Sequence, residues 1–491
     1  MNTSRRLQAA LVALVFVSAF SACAELKVAS IFGDNMVLQQ QQTVPIWGWN
    51  DPGKIVTVSF AGQTKSATTG ADGKWLVKLG KLKASAEPQS LVIASDETKT
   101  FTNVLVGEVW LASGQSNMEK PIGHQPGQKP VFNAEEELAT GDNYPQIRIF
   151  LVEKVLSPTP LNELIKFKSW RECSSNSLNS ISFSAAAYFF AREIHTNLNV
   201  PIGIVESSWG GTRIEPWTPP VGFESVPSLS SLAQTKPAAG KNTEPTAIFN
   251  AMIAPIASFA MRGALWYQGE SNLMGTNEDN DYITYEDKMR ALVNGWRQVW
   301  DEGTFPFYFV QIAPFKYYGG KIRRANTPEM LAEFWDLQFR AARDIKKTGV
   351  VVTTDGVDNL DDIHPRDKQD VGHRLALLAL NKTYDKDVPC SGPTFRKMKI
   401  SGNTAILKFD NTDRGLMSKD SQPLTWFTIA GADGKFVPAD AKINGDTVEV
   451  SAAGVNKPKT VRFGWSEIAQ PNFYNGAGLP AQPFRTDETS K

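Results

Sequence analysis

Four short segments of this chain concentrate residues able to do chemistry. They are Ser113-Gly-Gln-Ser116-Asn117, Ser207-Ser-Trp-Gly210-Gly211-Thr212-Arg213, Gln268-Gly-Glu270-Ser-Asn272, and the stretch from Asp355 to His364. Cys173 and Cys390 fall outside all four, so a cysteine–histidine pair is not expected and the nucleophile candidates are hydroxyls. Of the four histidines, His124, His195 and His373 stand elsewhere, in a Gly/Pro-containing loop or on helical stretches; His364 alone lies in one of these segments. Pro365 biases His364 towards an extended backbone and suits the first position of a following helix, which would hold the imidazole on a loop. Asp361 stands three residues earlier, within reach of Nδ1 to fix the tautomer. Ser116, His364 and Asp361 together suit nucleophilic catalysis, in which a weak hydroxyl nucleophile is activated by a base that an acid orients. A serine in a loop says little alone; the late Asp-x-x-His gives Ser116 its weight.

The acid-rich stretch 355–373 has a rival use as a metal site, with Asp355, Asp358, Asp361, Asp362, His364, Asp367, Asp370 and His373. It contains no His-Glu-x-x-His, no matching ligand cluster occurs elsewhere, and Arg366, Lys368 and Arg374 balance part of its charge. No metal and no cofactor is expected.

Each of the four segments follows a strand-like run. Val104-Ala112, Pro201-Val205, Gly263-Tyr267 and Val350-Thr354 precede them, with Phe307-Ile312 a further strand. Between these runs the spacing turns helical: Phe183, Ala187, Phe190, Ile194 and Leu198 share one face, as do Tyr285, Met289, Leu292, Trp296 and Val299. Leu331 to Ile345 is a third helix. Strands alternating with helices predict an α/β unit with a mostly parallel sheet, where ligands bind beyond the carboxyl ends of the strands. The stretches 219–248 and 124–144 read as surface loops. On either side lie shorter strands between turn signals. Val44-Trp47 (an edge strand, given Pro45), Val56-Ala61, Trp75-Lys78 and Leu91-Ile93 precede the α/β unit, and Thr404-Phe409, Thr425-Ala430, Thr447-Val450 and Thr460-Trp465 follow it. The expected division is 25–103 for an N-terminal β module, 104–393 for the catalytic domain and 394–491 for a C-terminal β-rich module.

Composition agrees with a compact protein of about three domains. Lys+Arg and Asp+Glu both number 51, which offers no basic excess for nucleic acid. Arg5 and Arg6 precede an apolar run from Ala9 to Phe20, too short for a membrane helix, and Ala22-Cys23-Ala24 has the small-x-small pattern of a cleavage site. A signal peptide over 1–24 and an exported, periplasmic or extracellular protein are expected. Lipid attachment at Cys23 is the alternative. Cleavage after Ala24 removes two positive and no negative charges, leaving a net charge of −2. Cys173 and Cys390 then remain, as free thiols or as one bridge.

The chain resembles the sialate O-acetylesterase-like carbohydrate esterases, a branch of the GDSL/SGNH hydrolases. The resemblance rests on Gly107-Glu-Val-Trp-Leu-Ala-Ser-Gly-Gln-Ser-Asn-Met118, Ser207-Ser-Trp-Gly-Gly-Thr-Arg-Ile-Glu-Pro-Trp217, Leu265-Trp-Tyr-Gln-Gly-Glu-Ser-Asn272 and Asp361-Asp-Ile-His364. Met36-Val-Leu-Gln39 and Gly478-Leu-Pro-Ala-Gln-Pro-Phe-Arg-Thr486 extend it over almost all of the chain beyond residue 24. It implies an SGNH-type three-layer α/β/α catalytic domain flanked by β-sandwich-like modules. Ser116 looks like the nucleophile, His364 the general base and Asp361 its orienting partner. The oxyanion hole would combine the N–H of Ser116, that of Gly211 or Gly210, and a side-chain donor from the third segment. The wider superfamily has Gly-x-Asn in that segment, and here Gln268 takes the asparagine's place, with Asn272 as the other candidate. An α/β-hydrolase is set aside because position 118 is Met where Gly-x-Ser-x-Gly needs glycine.

The implied reaction is removal of O-acetyl groups from sugars through an acetyl-enzyme, with an O-acetylated sugar or oligosaccharide as the only partner expected. Arg213, Glu270, Asn272 and Trp209 are the candidates for contact with the sugar. Arg213 would suit a sialate carboxylate. Trp110, Trp209, Trp217 and Trp266 would suit neutral xylan- or xyloglucan-type glycans. The lean is to neutral glycans or broad specificity, with activity rising through an ordinary histidine near pH 6 to 7. A secreted, non-catalytic carbohydrate-binding protein is the alternative.

Overall fold

The computed structural model describes residues 25–238, 240–275, 281–320 and 326–487. The segment expected to be a signal peptide, with Cys23, lies outside the described residues. Strands β1 (Lys27–Val28), β2 (Val37–Gln39), β3 (Val44–Trp49), β4 (Ile55–Phe60), β5 (Gln63–Thr68), β6 (Lys74–Leu79) and β7 (Ser85–Ala94) lead to β8, which runs unbroken from Thr98 to Gly114. β9 (Ile147–Val152), β10 (Phe167–Glu172), β11 (Ile202–Ser208), β12 (Gly263–Tyr267), β13 (Phe307–Val310) and β14 (Thr348–Val351) complete the central part. Its sheet has the order β10-β9-β11-β8-β12-β13-β14, all parallel except β10.

Helices are α1 (Ser116–Glu119), α2 (Ala134–Thr140), α3 (Ser175–Ser180), α4 (Ala185–Leu198), α5 (Pro220–Glu224), α6 (Glu270–Leu273), α7 (Tyr285–Trp300), α8 (Met330–Asp344) and α9 (Gln369–Lys382). Alternation along the buried strands sends side chains to opposite faces. Trp110, Ala112, Ile204 and Leu265 meet Phe190, Leu375 and Leu378 of α4 and α9. Val109, Leu111, Val205 and Trp266 face the other way, into the core that holds Met289, Leu292 and Trp296 of α7 and Leu331 and Trp335 of α8. The result is the expected three-layer SGNH-type α/β/α arrangement.

That second core continues into the N-terminal strands, where Val37, Ile46, Val58, Val77 and Ile93 belong to it. β8 links the two regions physically. Its first half pairs antiparallel with β7 and parallel with β2, and its second half pairs parallel with β11 and β12. Pro45 lies in β3 at a point where only β6 pairs with it, since β1 reaches no further than Gly48 and Trp49. The missing N–H is therefore tolerated. Beyond α9 come further antiparallel strands from Thr394 to Arg485 around a core of Phe409, Phe427, Phe463, Phe473 and Phe484.

The stretch 219–248 departs from the expected loop. α5 and a 3₁₀ turn over Pro227–Gln234 bury Phe223, Val226 and Leu229 against Ala291 of α7. A Cβ on Gly222 would meet the Ala291 carbonyl oxygen at 2.3 Å, so glycine lets the chain lie on the helix. The stretch 124–144 likewise contains α2. Cys173 and Cys390 are both free, and burial pushes the Cys173 thiol up to about 12. No helix among the described residues is long and apolar enough to cross a membrane.

Candidate active site

Ser116 begins α1 directly after β8. The turn between them requires Gly114, whose φ is +137° and where a Cβ would sit 2.2 Å from the Tyr267 carbonyl oxygen. As the first residue of a helical turn, Ser116 has an N–H with no intrahelical acceptor. His364 lies on the loop between β14 and α9, 248 residues further along the chain. Its Nε2 is 2.9 Å from Ser116 Oγ. A hydroxyl in hydrogen-bond contact with an imidazole is the arrangement that nucleophilic catalysis requires.

The acid expected beside that base needs correction. Asp361 turns outward, 58% exposed, and its carboxylate pairs with Lys316 Nζ at 3.0 Å. Asp362 folds back instead: its Oδ1 accepts the His364 backbone N–H at 2.9 Å and stands 3.7 Å from Nδ1. The cause is local. The Asp361 N–H donates to Asn359 Oδ1 and the Asp362 N–H to the Asn359 carbonyl, so the chain turns and Asp361 takes the outer corner. At 3.7 Å the Asp362–imidazole contact is electrostatic, of the loose kind common in unliganded sites.

Burial, then the nearby Lys368 ammonium, lower the His364 pKa to about 4, while Asp362 opposes the shift. The imidazole is therefore neutral, and able to accept a proton, well below the pH 6–7 expected for an ordinary histidine. Burial also lowers Lys368 to about 7 and raises Glu206 to about 8.

The second segment separates its two glycines. The Gly210 N–H is engaged by Glu119 Oε2 at 2.6 Å, and Glu119 also pairs with Lys154. Gly211 has φ +75°, and its N–H meets no acceptor among the described residues. The third segment is buried. Gln268 Nε2 lies 2.8 Å from Asn272 Oδ1, 3.1 Å from the Thr212 carbonyl and 3.1 Å from Gln115 Oε1. Asn272 Oδ1 also accepts the Ile214 N–H, and its Nδ2 faces Glu215. Glu270 accepts a bond from Asn117. Gln268, Glu270 and Asn272 are 0%, 1% and 1% exposed. Their expected roles as oxyanion donor or sugar contacts are therefore corrected: they brace the segments against one another, with amides already engaged.

Trp110, Trp217 and Trp266 are likewise fully buried, and of the four tryptophans only Trp209 keeps partial exposure. Arg213 is half-buried with its guanidinium near Gly275, 3.1 Å from where a Cβ there would lie. A cleft of about 340 Å³ on the Glu119 side is lined by Gln125, Glu153, Lys154, Lys166, Glu206 and Ser208. The remaining histidines are elsewhere: His195 Nδ1 meets the Val200 carbonyl, His373 faces Glu193, and His124 is exposed. Asp355, from the acid-rich stretch, is gripped by Arg374 at 2.7 Å and by Tyr474. Among the described residues no three His, Cys, Asp or Glu side chains stand together as metal ligands.

Sequence reasoning gave no part in ester chemistry to Asn117, Asp362 or Lys368, naming Asp362 only as a candidate metal ligand and Lys368 only as a balancing charge. All three lie inside segments already singled out, but nothing in a one-dimensional pattern distinguishes a buried polar residue from a solvated one.

Residues 106–381 match the family described as carbohydrate esterase, sialic acid-specific acetylesterase. The chain belongs to this family. It is a carboxylic ester hydrolase acting on acetylated carbohydrates. The carbohydrate esterase is 34% identical to a carbohydrate acetylesterase of Xanthomonas citri, whose crystal structure it matches with a TM-score of 0.84 over 95% of this chain and 100% of the other. It is 28% identical to sialate O-acetylesterase of Homo sapiens, over 93% of this chain and 91% of the relative. It is 29% identical to that of Rattus norvegicus, over 93% of each.

Proposed function

We propose that this esterase removes O-acetyl groups from neutral glycans through an acetyl-enzyme on Ser116, in an exported compartment. The observation that carries the mechanism is the 2.9 Å contact between His364 Nε2 and Ser116 Oγ. His364 takes the hydroxyl proton as Oγ attacks the acetyl carbonyl. The N–H groups of Ser116 and Gly211, neither engaged by an acceptor among the described residues, receive the oxyanion. His364 then protonates the departing sugar oxygen, and water activated by the same imidazole releases acetate. Asp362 stabilises the imidazolium electrostatically. Truncation of Ser116 to alanine is expected to lower turnover of 4-nitrophenyl acetate by about 10³-fold or more with an unchanged circular dichroism spectrum. Near-native activity would remove Ser116 from the mechanism.

The cleft beside α1, which is lined by Glu119 but by neither Ser116 nor His364, supports the neutral substrate as a flanking surface. It presents Glu119 and Glu153 against Lys154 and Lys166, with Lys154 already paired to Glu119, while Glu206 at its floor is held as a neutral carboxyl. A sialate carboxylate would meet no cationic excess there, whereas hydroxyl groups suit a mixed set of donors and acceptors. Acetate release compared on O-acetylated sialic acid and on acetylated xylan or xyloglucan oligosaccharides tests this. A strong preference for the sialate that vanishes in Arg213→Ala would reverse the assignment.

A further inference from the structure

Beneath the reacting pair lie three buried polar side chains from three separate elements. Asn117 follows the nucleophile in α1, Glu270 opens α6, and Lys368 precedes α9; they are 1%, 1% and 0% exposed. Asn117 Nδ2 donates to Glu270 Oε1 at 2.6 Å and to the Ile363 carbonyl at 3.1 Å. Asn117 Oδ1 accepts from Lys368 Nζ at 2.9 Å, and the same ammonium donates to the Pro365 carbonyl at 2.8 Å. The two carbonyls held are those on either side of His364. One amide, adjacent in the chain to Ser116, thus ties the nucleophile's turn to the loop of its base.

Burying an ammonium and a carboxyl group is costly, and apolar side chains of the same volume often stabilise a fold better. Here that cost falls directly under the two atoms that must meet. We propose that Asn117, Glu270 and Lys368 are positioning residues for acyl transfer, a buried unit that fixes the His364 loop relative to Ser116. The inference rests on Ser116 and His364 being nucleophile and base. The unit also sets the field at the imidazole. Lys368 and Lys120 face it as cations and Asp362 as an anion; Lys368 itself faces Lys120, Glu270, Asp367 and Asp362, and Lys120 faces Arg366 and Asp358.

The test is covalent labelling of the full-length protein by a fluorophosphonate, in which Ser116 Oγ displaces fluoride at phosphorus, together with kcat and KM on 4-nitrophenyl acetate. Asn117→Ala and Glu270→Ala are expected to lower both the labelling rate and kcat by about 10- to 100-fold, with KM within about threefold, because a misplacement near 1 Å costs on that order. Glu270→Gln keeps the oxygen that Asn117 bonds, and is expected to recover to within about threefold of wild type. Lys368→Met fits the same buried space and carries the test if the alanine variants do not fold. It should slow labelling and move the acidic limb of kcat/KM to higher pH, since a cation that disfavours the imidazolium is gone.

Wild-type protein that is not labelled on Ser116 overturns the underlying reading. Labelling of wild type with equal rates and pH profiles in folded Lys368→Met or Asn117→Ala overturns this inference alone. A Glu270→Gln variant as slow as Glu270→Ala overturns the part assigned to Glu270.

Discussion

At the scale of single residues, two neighbouring aspartates have exchanged places. The Asp-x-x-His spacing singles out Asp361, yet its carboxylate faces Lys316 and solvent while Asp362 lies against the imidazole. Asp362→Ala is therefore expected to lower kcat by tens-fold and Asp361→Ala by less than about threefold, since an exposed pair contributes little; the reverse order would restore Asp361. The pH profile belongs to the same atoms. With His364 lowered to about 4, its neutral form is favoured by the fold. The associated stability is full above the ordinary histidine value and is lost as pH falls towards 4. Activity should hold level from pH 8 to below 6 and drop between about 5 and 4, given the one-unit breadth of a titration. A half-activity point at 6.5 would mean that the imidazole is solvated in the working enzyme. That Ser116 and His364 would be brought together was legible in the sequence because a hydroxyl, an imidazole and an acid suit only a few chemistries together. Gln268, Glu270 and Asn272 were misread because polar residues after a strand look alike whether they line a cleft or sit under it.

The elements were easier to read where one period ran long. α4, α7 and α8 lie within a few residues of their expected spans because each repeats its apolar face over several turns. α5 and its following 3₁₀ turn were read as a loop because their proline-rich composition hides Phe223, Val226 and Leu229, whose burial depends on α7. Strand ends matter for stability as well as for chemistry. Glu206, near the end of β11, is fully buried; its oxygens bond the Ser208 hydroxyl and the Ser184 N–H. Its pKa rises to about 8, above the unfolded value, so its contribution to stability is complete below the unfolded value and lost as pH climbs through 8. Glu206→Gln reproduces the neutral carboxyl. It should match wild type near pH 5 and exceed it at pH 8 by on the order of 1–3 kcal/mol. Calorimetry at the two pH values checks this, and equal curves at pH 8 would show that the carboxyl ionises at no cost.

Across the whole molecule, the alternation of strand and helix announced the α/β sheet, and turn-rich flanks announced the outer strands. The absence of a Gly/Ser- or Pro-rich linker before Val104 pointed to flanking strands packed on the α/β unit, but which apolar faces meet was not visible, because separation along the chain says nothing of that. Ile46, Val58, Val77 and Ile93 belong to the same core as α7 and α8. At the other end, Glu467 accepts the N–H groups of Tyr318 and Gly319, and Tyr474 donates to Asp355. A chain shortened to begin at Val104 should accordingly be insoluble or lack near-ultraviolet dichroism. Recovery of an active, folded fragment would show that the flanking strands are dispensable.

β8 also imposes an order on assembly. Its second half and the turn after it wait for partners far along the chain: Ser113 Oγ meets the Ser207 carbonyl 94 residues later, and Gln115 meets Gln268 153 residues later. Until β11 and β12 are made, the run from Glu108 to Ser113 is an unpaired and largely apolar edge, the kind of template on which chains aggregate. Only β2 and β7 precede it, and both pair with its first half. Those early strands give a newly made chain a place to hold its hazardous segment while the rest arrives. Mutations that loosen β7, such as Leu91→Ala, should therefore depress refolding yield at raised protein concentration more than they depress the melting temperature.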